Sequence, residues 1–208
     1  MSIGIYGAGG HTKVVYDIIK KYKNIFFFDE KKKYFKIEGK TFKIFGGLEK
    51  LIKNKKKFSK VFISLGDNDH RKKKYQILKK ENFQFISLKH PASYFAPGSN
   101  IGNGSVIMAG CVIQSESKIG NNCIINTNAS IDHECVIGDH THISPGVIMG
   151  GNIKIGKNCW IGLGAKIIPN LIIGDNVKVA AGSLVVKNIK SNSFVKGVPA
   201  KNARKRLA

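Results

Sequence analysis

A strict period of six limits what this chain can fold into more than any other feature. Ile-Gly pairs begin at Ile101, Ile119, Ile137, Ile155 and Ile173, each separated from the last by three hexapeptides. Every sixth residue in that stretch is apolar: Ile at 101, 107, 113, 119, 125, 131, 137 and 143, Met149, Ile at 155, 161, 167 and 173, then Val179 and Val185. Neither a 3.6-residue helix nor a simple alternating strand has this period. A solenoid of triangular coils, each with three six-residue sides, does.

A second column lies four residues further on. Ser105, Cys111, Ser117, Cys123, Ala129, Cys135, Thr141, Val147, Cys159, Ala165, Val177 and Ser183 are small, with Ile153 and Leu171 as exceptions. Coils stacked ~4.8 Å apart leave a narrow prism that one large and one small side chain per face fill without voids. The spacing therefore predicts a parallel β-helix of hexapeptide repeats. Its nearly five coils exceed the roughly three units a solenoid needs.

All four cysteines, Cys111, Cys123, Cys135 and Cys159, fall in the small inward column. They read as reduced packing residues, since a metal site would need convergent ligands and disulfides an oxidising compartment. That placement argues against an acyl-cysteine intermediate. The N-terminus has no basic lead or long apolar stretch, so neither a signal peptide nor a membrane span is expected, and a cytoplasmic protein is. The net charge of +22 raises nucleic-acid binding. The lysines nevertheless scatter through runs such as Lys31-Lys32-Lys33 and Lys55-Lys56-Lys57 without interleaved aromatics, so they read as a solvated surface that draws in anionic small molecules, not nucleic acid.

Before the repeat, apolar runs alternate with helical patterns. Strands are expected at Ile3 to Tyr6, Ile25 to Phe28, Val61 to Leu65 and Phe83 to Leu88, with helices over Thr12 to Lys23, Glu49 to Lys57 and Arg71 to Glu81. The pattern is α/β: a small Rossmann-like βαβ domain over residues 1–90 with a parallel sheet. The all-β solenoid takes residues 91–208, with a tail from Ser191 that loses the six-residue series and is expected to leave the prism. His90-Pro91 and Ala96-Pro97-Gly98 mark the passage between the two.

Two constellations carry chemistry. Gly7-Ala8-Gly9-Gly10-His11 follows the first strand and opens the first helix, where glycines admit a ligand to the backbone and helix-end N–H groups favour phosphate. Asp29 ends the second strand, at the distance from Gly7 where dinucleotide folds place a ribose-binding acid. Thr12 replaces the third glycine of that fingerprint, which favours a nucleotide-bearing substrate over NAD, with Gly66 as a further wall. A tight turn that needs glycine for geometry alone is the competing reading. The second constellation is Asp132-His133-Glu134, with His140 and His142 just beyond. His133 and His142 fall outside the inward columns, and Gly151 lies three hexapeptides after His133, one coil above it. A histidine beside a carboxylate is a natural base near neutral pH.

The segments Ile131-Asp132-His133-Glu134-Cys135-Val136-Ile137-Gly138, Tyr6-Gly7-Ala8-Gly9-Gly10-His11, Gly66-Asp67-Asn68 and Gly197-Val198-Pro199-Ala200-Lys201 together resemble the sialic acid O-acetyltransferase and nucleotide-amino-sugar N-acetyltransferase family. The likeness is greatest to the bacillosamine-pathway UDP-4-amino-sugar N-acetyltransferases and runs over almost the whole chain. It implies a left-handed β-helix, a homotrimer, and acetyl-CoA in grooves between subunits, with no metal. It further implies His133 as general base, Glu134 as its orienting carboxylate, His142 at the acetyl end of acetyl-CoA, and Gly151 and Gly162 along the pantetheine path. Gly9, Gly10, His11, Asp29, Glu30 and Gly66 would hold the nucleotide of the sugar substrate. The family loop is often Gly-Ala-Ser-Gly-His, where this chain has Gly9 in place of the Ser.

The expected reaction is direct acetyl transfer from acetyl-CoA to the 4-amino group of a nucleotide-linked dideoxy sugar, serving surface glycan synthesis. Acetylation of a sugar hydroxyl keeps the same fold and donor. A hexapeptide-repeat zinc carbonic anhydrase would use His133, His140 and His142 but leave the N-terminal domain idle, and a non-catalytic sugar-nucleotide binding module would leave the His-Glu pair idle.

Overall fold

The computed structural model describes residues 2–203. It divides the chain into two compact units, one ending at Leu88 and the other starting at Lys89.

In the first unit, β1 (Ser2–Tyr6), β2 (Asn24–Phe28) and a later strand at Lys60–Ile63 form a parallel sheet with β1 in the middle. Ile3, Ile5, Phe27, Phe28, Val61 and Ile63 are buried in it, as expected of a parallel sheet covered on its faces. Helix α1 spans Gly10–Ile19, whereas the spacing predicts Thr12 to Lys23. It starts earlier because Gly9 is its N-cap, and it stops once the buried stripe of Val15, Ile18 and Ile19 gives way to Lys20-Lys21.

A hairpin of β3 (Tyr34–Ile37) and β4 (Lys40–Lys43) was not expected. Its turn residues Glu38 and Gly39 both have positive φ, the geometry of a tight two-residue hairpin turn. Phe35 and Phe42 pack with Tyr16 and Phe27 at ring-centroid distances of 4.8 to 6.3 Å. Helix α2 (Leu48–Lys53), β5 (Lys60–Ile63) and helix α3 (Asn68–Lys80) complete the unit. The strand expected over Phe83 to Leu88 shrinks to one bridge between Val61 and Phe85. The chain has already turned into the first solenoid strand at Leu88–Lys89.

The second unit is the left-handed β-helix. Two-residue strands recur every six residues and stack into three sheets of six, five and eight strands, the three faces of a prism, parallel except for the last strand at Lys201–Asn202. Register is kept at three hexapeptides per coil, as in Ile113 to Ile131 to Met149 and Ile125 to Ile143 to Ile161. Both inward columns are buried: every member from Ile107 to Val185 of the large one and from Ser105 to Ser183 of the small one. The inward hydroxyls are satisfied, since Ser105, Ser117 and Thr141 donate to carbonyls of Gly120, Asp132 and Gly156 at 2.7 to 2.9 Å.

The tail does not leave the prism at Ser191. Phe194–Lys196 still pairs in parallel with Lys178–Val179, and Lys201–Asn202 folds back antiparallel on it. The last coil is simply two positions shorter than the others: Ile173 meets Ile189 and Val179 meets Val195. Dropping those two positions destroys the six-residue series while preserving the strand pairing.

Candidate active site

Corners of the β-helix require left-handed backbone. Every sixth residue from 98 to 182 has positive φ, and these are Gly or Asn except Glu116, Glu134 and His140. Gly and Asn visit this region readily, whereas other residues are held there at a cost of roughly 1 to 2 kcal/mol. Glu134 (φ 58) therefore occupies a corner that a Gly or Asn would fill with less strain.

What Glu134 does there is visible in its contacts. Its Oε2 lies 2.9 Å from His133 Nδ1, while Asp132 Oδ1 accepts the His133 N–H at 2.8 Å. A carboxylate on Nδ1 fixes the proton there and leaves Nε2 as the unprotonated nitrogen. Both side chains are more than half exposed, so the imidazole is open to a ligand. Directly above it, Gly151 packs on the ring: a Cβ there would meet His133 Nε2, lie 2.5 Å from Cε1 and 3.0 Å from Cδ2. The space that the sequence assigned to a passing ligand thus belongs first to the imidazole ring.

His140 has a structural part. Its Nδ1 sits 2.8 Å from the Asn122 amide, and Asn158, Asn176 and Asn192 continue the same corner with amide bonds of 3.1 Å. It is one rung of a polar ladder. His142 lies on another face, paired in register with Ile124 and Trp160. The Asn126 oxygen accepts the Thr127 N–H at 2.9 Å, which turns its amide nitrogen toward His142 Nε2 at 3.1 Å. That nitrogen is consequently an acceptor and the His142 proton sits on Nδ1. Trp160, 43% exposed, stands one coil above. Its place one full coil after His142 was the available signal, and sequence reasoning passed it over.

Gly162 packs against the next coil, where a Cβ would fall 2.6 Å from the backbone of Val179 and Ala181. Within one chain, His133, Glu134 and Gly151 share a corner, whereas His142 and Gly162 belong to a different face. Among the described residues, no three His, Cys, Asp or Glu side chains converge as a metal site. The four cysteines are buried and form no disulfide with one another. Burial pushes the Cys111 and Cys159 thiols up to about 11 and raises Cys135 too, so these thiols stay protonated and inert.

The glycine loop of the first unit is open. Gly7 (φ 107) packs so tightly that a Cβ would lie 2.6 Å from the Ser64 carbonyl, but a Cβ on Gly9, Gly10 or Gly66 would meet nothing within 4 Å. Helix α1 has no side-chain cap, leaving its first N–H groups available. His11 Nε2 is buried without a hydrogen-bond partner among the described residues. Burial, assisted by the Arg71 charge, depresses its pKa to about 4.

Asp29 and Glu30 are already engaged. Asp29 accepts from the backbone N–H groups of Ala8, Lys31 and Lys32 at 2.9 to 3.1 Å, and Lys32 Nζ reaches back to the Ala8 carbonyl at 2.7 Å. Glu30 Oε1 accepts from the Tyr6 hydroxyl (2.6 Å), Lys74 (3.1 Å) and the Leu48 N–H (3.3 Å). Those bonds lower the Glu30 pKa, whereas burial, with Glu30 beside it, raises that of Tyr6. Both carboxylates hold the loop in shape. Tyr6, Lys32 and Lys74 were not singled out from sequence.

Residues 2–78 match the PglD N-terminal domain, and 116–151 and 152–187 match the bacterial transferase hexapeptide. The acetyltransferase domain of PglB from Neisseria gonorrhoeae is 32% identical, with 97% of this chain and 99% of that one covered and a TM-score of 0.90. PerB from Caulobacter crescentus, solved with CoA and GDP-perosamine, is 30% identical over 98% of both chains at a TM-score of 0.91. WeeI from Acinetobacter baumannii is 27% identical, covering 98% of this chain and all of that one at 0.86. A glycine-loop α/β unit followed by a β-helix with an exposed, carboxylate-held histidine defines an acetyltransferase of the hexapeptide-repeat class. The chain belongs to the family of sialic acid O-acetyltransferases and nucleotide-amino-sugar N-acetyltransferases, which take the acetyl group from acetyl-CoA.

Proposed function

We propose that this enzyme transfers the acetyl group of acetyl-CoA to the 4-amino group of a nucleotide-linked dideoxy sugar, in the cytoplasm, for surface glycan synthesis. The observation that carries this reading is His133, held through Nδ1 by a strained Glu134 and packed beneath Gly151 of the next coil. His133 Nε2 takes the proton as the amine nitrogen attacks the thioester carbonyl and the tetrahedral intermediate forms. It then returns that proton to the departing CoA thiolate. Backbone N–H groups of the coil stabilise the oxyanion. Attack is direct, because the thiols are buried and protonated.

The first unit holds the nucleotide: Gly9, Gly10 and Gly66 offer open backbone, and His11, whose Nε2 is buried, joins Asp29 and Glu30 in shaping the loop. The acetyl donor lies along the β-helix. His142 and Gly162 stand on a different face from His133, which a groove between neighbouring subunits of a homotrimer would reconcile: one chain supplies the base and the next the donor wall. Support comes from the perosamine N-acetyltransferase solved with CoA and GDP-perosamine and the gonococcal domain solved with acetyl coenzyme A. The test is acetyl-CoA-dependent thiol release with UDP-, GDP- and dTDP-linked 4-amino sugars and free sialic acid. Release with one nucleotide amino sugar is expected. Release with sialic acid alone would shift the acceptor to a hydroxyl.

A further inference from the structure

In sequence the lysines of the first unit fall in separate runs, but its topology brings three of those runs to one end of the sheet. Each helix of a parallel α/β unit returns the chain to the edge where strands begin. The segments that end α1, α2 and α3 therefore share that edge with the first residues of β1, β2 and β5. Hydrogen bonds tie them together. The Asn24 amide donates to Ser2 Oγ at 3.3 Å and the Ser59 hydroxyl to the Ser2 carbonyl at 3.2 Å. On the other side of β5, the Val61 N–H donates to the Gln84 carbonyl at 2.9 Å, and Lys55 Nζ to the Glu81 carbonyl.

Residues 20–24, 53–60 and 79–82 of this edge hold ten lysines against one acid, Glu81, and every one of the ten except half-buried Lys60 is exposed. Asp17 and Glu38 pair with Lys20, too few carboxylates to neutralise the face. At the opposite end of the sheet, where the glycine loop lies, Asp29, Glu30, Asp67 and Asp69 interleave with lysines. Cations complement the carbonyls of helix C-termini, which accounts for Lys53, Lys79 and Lys80. It does not account for Lys23, Lys56 or Lys57, which lie beyond the α-helices. A face of one sign repels itself, so it gains from an anionic counterpart. All ten charges are lysine and none is arginine. An ammonium is a hydrated point charge without the planar fork that reads base edges, so this face matches a plane of anionic headgroups better than a nucleic acid. We propose that this end of the first unit docks on the anionic surface of a phospholipid bilayer, which leaves the glycine loop at the other end of the sheet open to its substrate.

The test is co-sedimentation of the full chain with vesicles of phosphatidylcholine, alone or mixed with phosphatidylglycerol. Wild type should bind only the mixed vesicles and let go between about 0.1 M and about 1 M salt, as the screening length falls from ~10 Å to ~3 Å. Lys56→Gln/Lys57→Gln/Lys80→Gln should weaken binding by about 10²-fold, roughly fivefold per lysine, with melting temperature and thiol release close to wild type. Lys21→Gln/Lys23→Gln/Lys79→Gln removes the same charge from the same face and should repeat the loss, so the reading stays testable if the first variant fails to fold. Lys13→Gln/Lys33→Gln/Lys73→Gln, which removes exposed lysines nearer the glycine loop, should keep vesicle affinity within about threefold. No binding of mixed vesicles by wild type, equal losses in variants from both ends, or displacement of vesicles by double-stranded DNA at lower phosphate concentration would overturn the assignment.

Discussion

Gly151→Ala is the smallest change that should silence the site without unfolding the chain. The added methyl carbon would lie 2.5 Å from His133 Cε1, whereas ordinary contact begins near 3.4 Å, so the imidazole must retreat by about 0.9 Å. That movement disrupts the 2.9 Å bond from Nδ1 to Glu134. A misplacement of this size costs on the order of 10²-fold in rate. Gly151 does not have a positive φ, so alanine adds no backbone strain, and the ring is exposed enough to move. Stability should therefore change little. Gly162→Ala is the control: its methyl would sit 2.6 Å from backbone atoms of Val179 and Ala181, which cannot yield, and overpacking of that kind costs roughly 1 to 3 kcal/mol. Thiol release and thermal melts on both proteins separate the effects. A Gly151→Ala enzyme that melts normally and keeps kcat within twofold would refute the placement of His133 in the reaction.

Ile137→Asp, which puts an unpaired carboxylate in the dry prism, should abolish folding because the desolvation penalty of several kcal/mol matches total domain stability; Cys159→Ala should stay active, and an inactive but folded Cys159→Ala would revive a thiol intermediate. Asp29→Ala removes the acceptor of three loop N–H bonds and should weaken nucleotide-sugar binding tenfold or more in calorimetry, with acetyl-CoA affinity unchanged. His11 is held neutral, its pKa depressed to about 4 from an ordinary 6.5. Only the unfolded chain takes up this proton between those values, so stability falls as pH drops from about 6.5 to about 4, by at most roughly 3 kcal/mol. Urea midpoints at pH 7 and 5 should show a smaller drop for His11→Gln than for wild type.

The β-helix was legible because each hexapeptide meets the same packing constraint, so fifteen apolar residues from Ile101 to Val185 repeat one decision. The last coil was not, since shortening it by two positions shifts the period while keeping the pairing. The hairpin escaped because its turn is Glu38-Gly39, not the Asn-Gly that announces such turns. At the site, His133, Glu134 and Gly151 could be stacked by counting whole coils. The duties of Asp29 and Glu30 could not, because a carboxylate at a strand end looks the same whether it awaits a ribose or already accepts from Ala8, Lys31, Lys32, Tyr6 and Lys74. His142 stands close to His133 in sequence, and the resemblance gives it the acetyl end of acetyl-CoA; half a coil places it on another face of the same chain.

The central claim is that His133 is the base in acetyl transfer to a nucleotide-linked amino sugar. Steady-state thiol release by wild type and His133→Ala, across UDP-, GDP- and dTDP-linked 4-amino sugars, tests it most directly. Wild type should turn over one of these acceptors, and the folded variant should lose roughly 10² to 10⁴ in kcat with KM for acetyl-CoA little changed. Near-normal turnover by folded His133→Ala, or no thiol release by wild type with any nucleotide amino sugar, would contradict it.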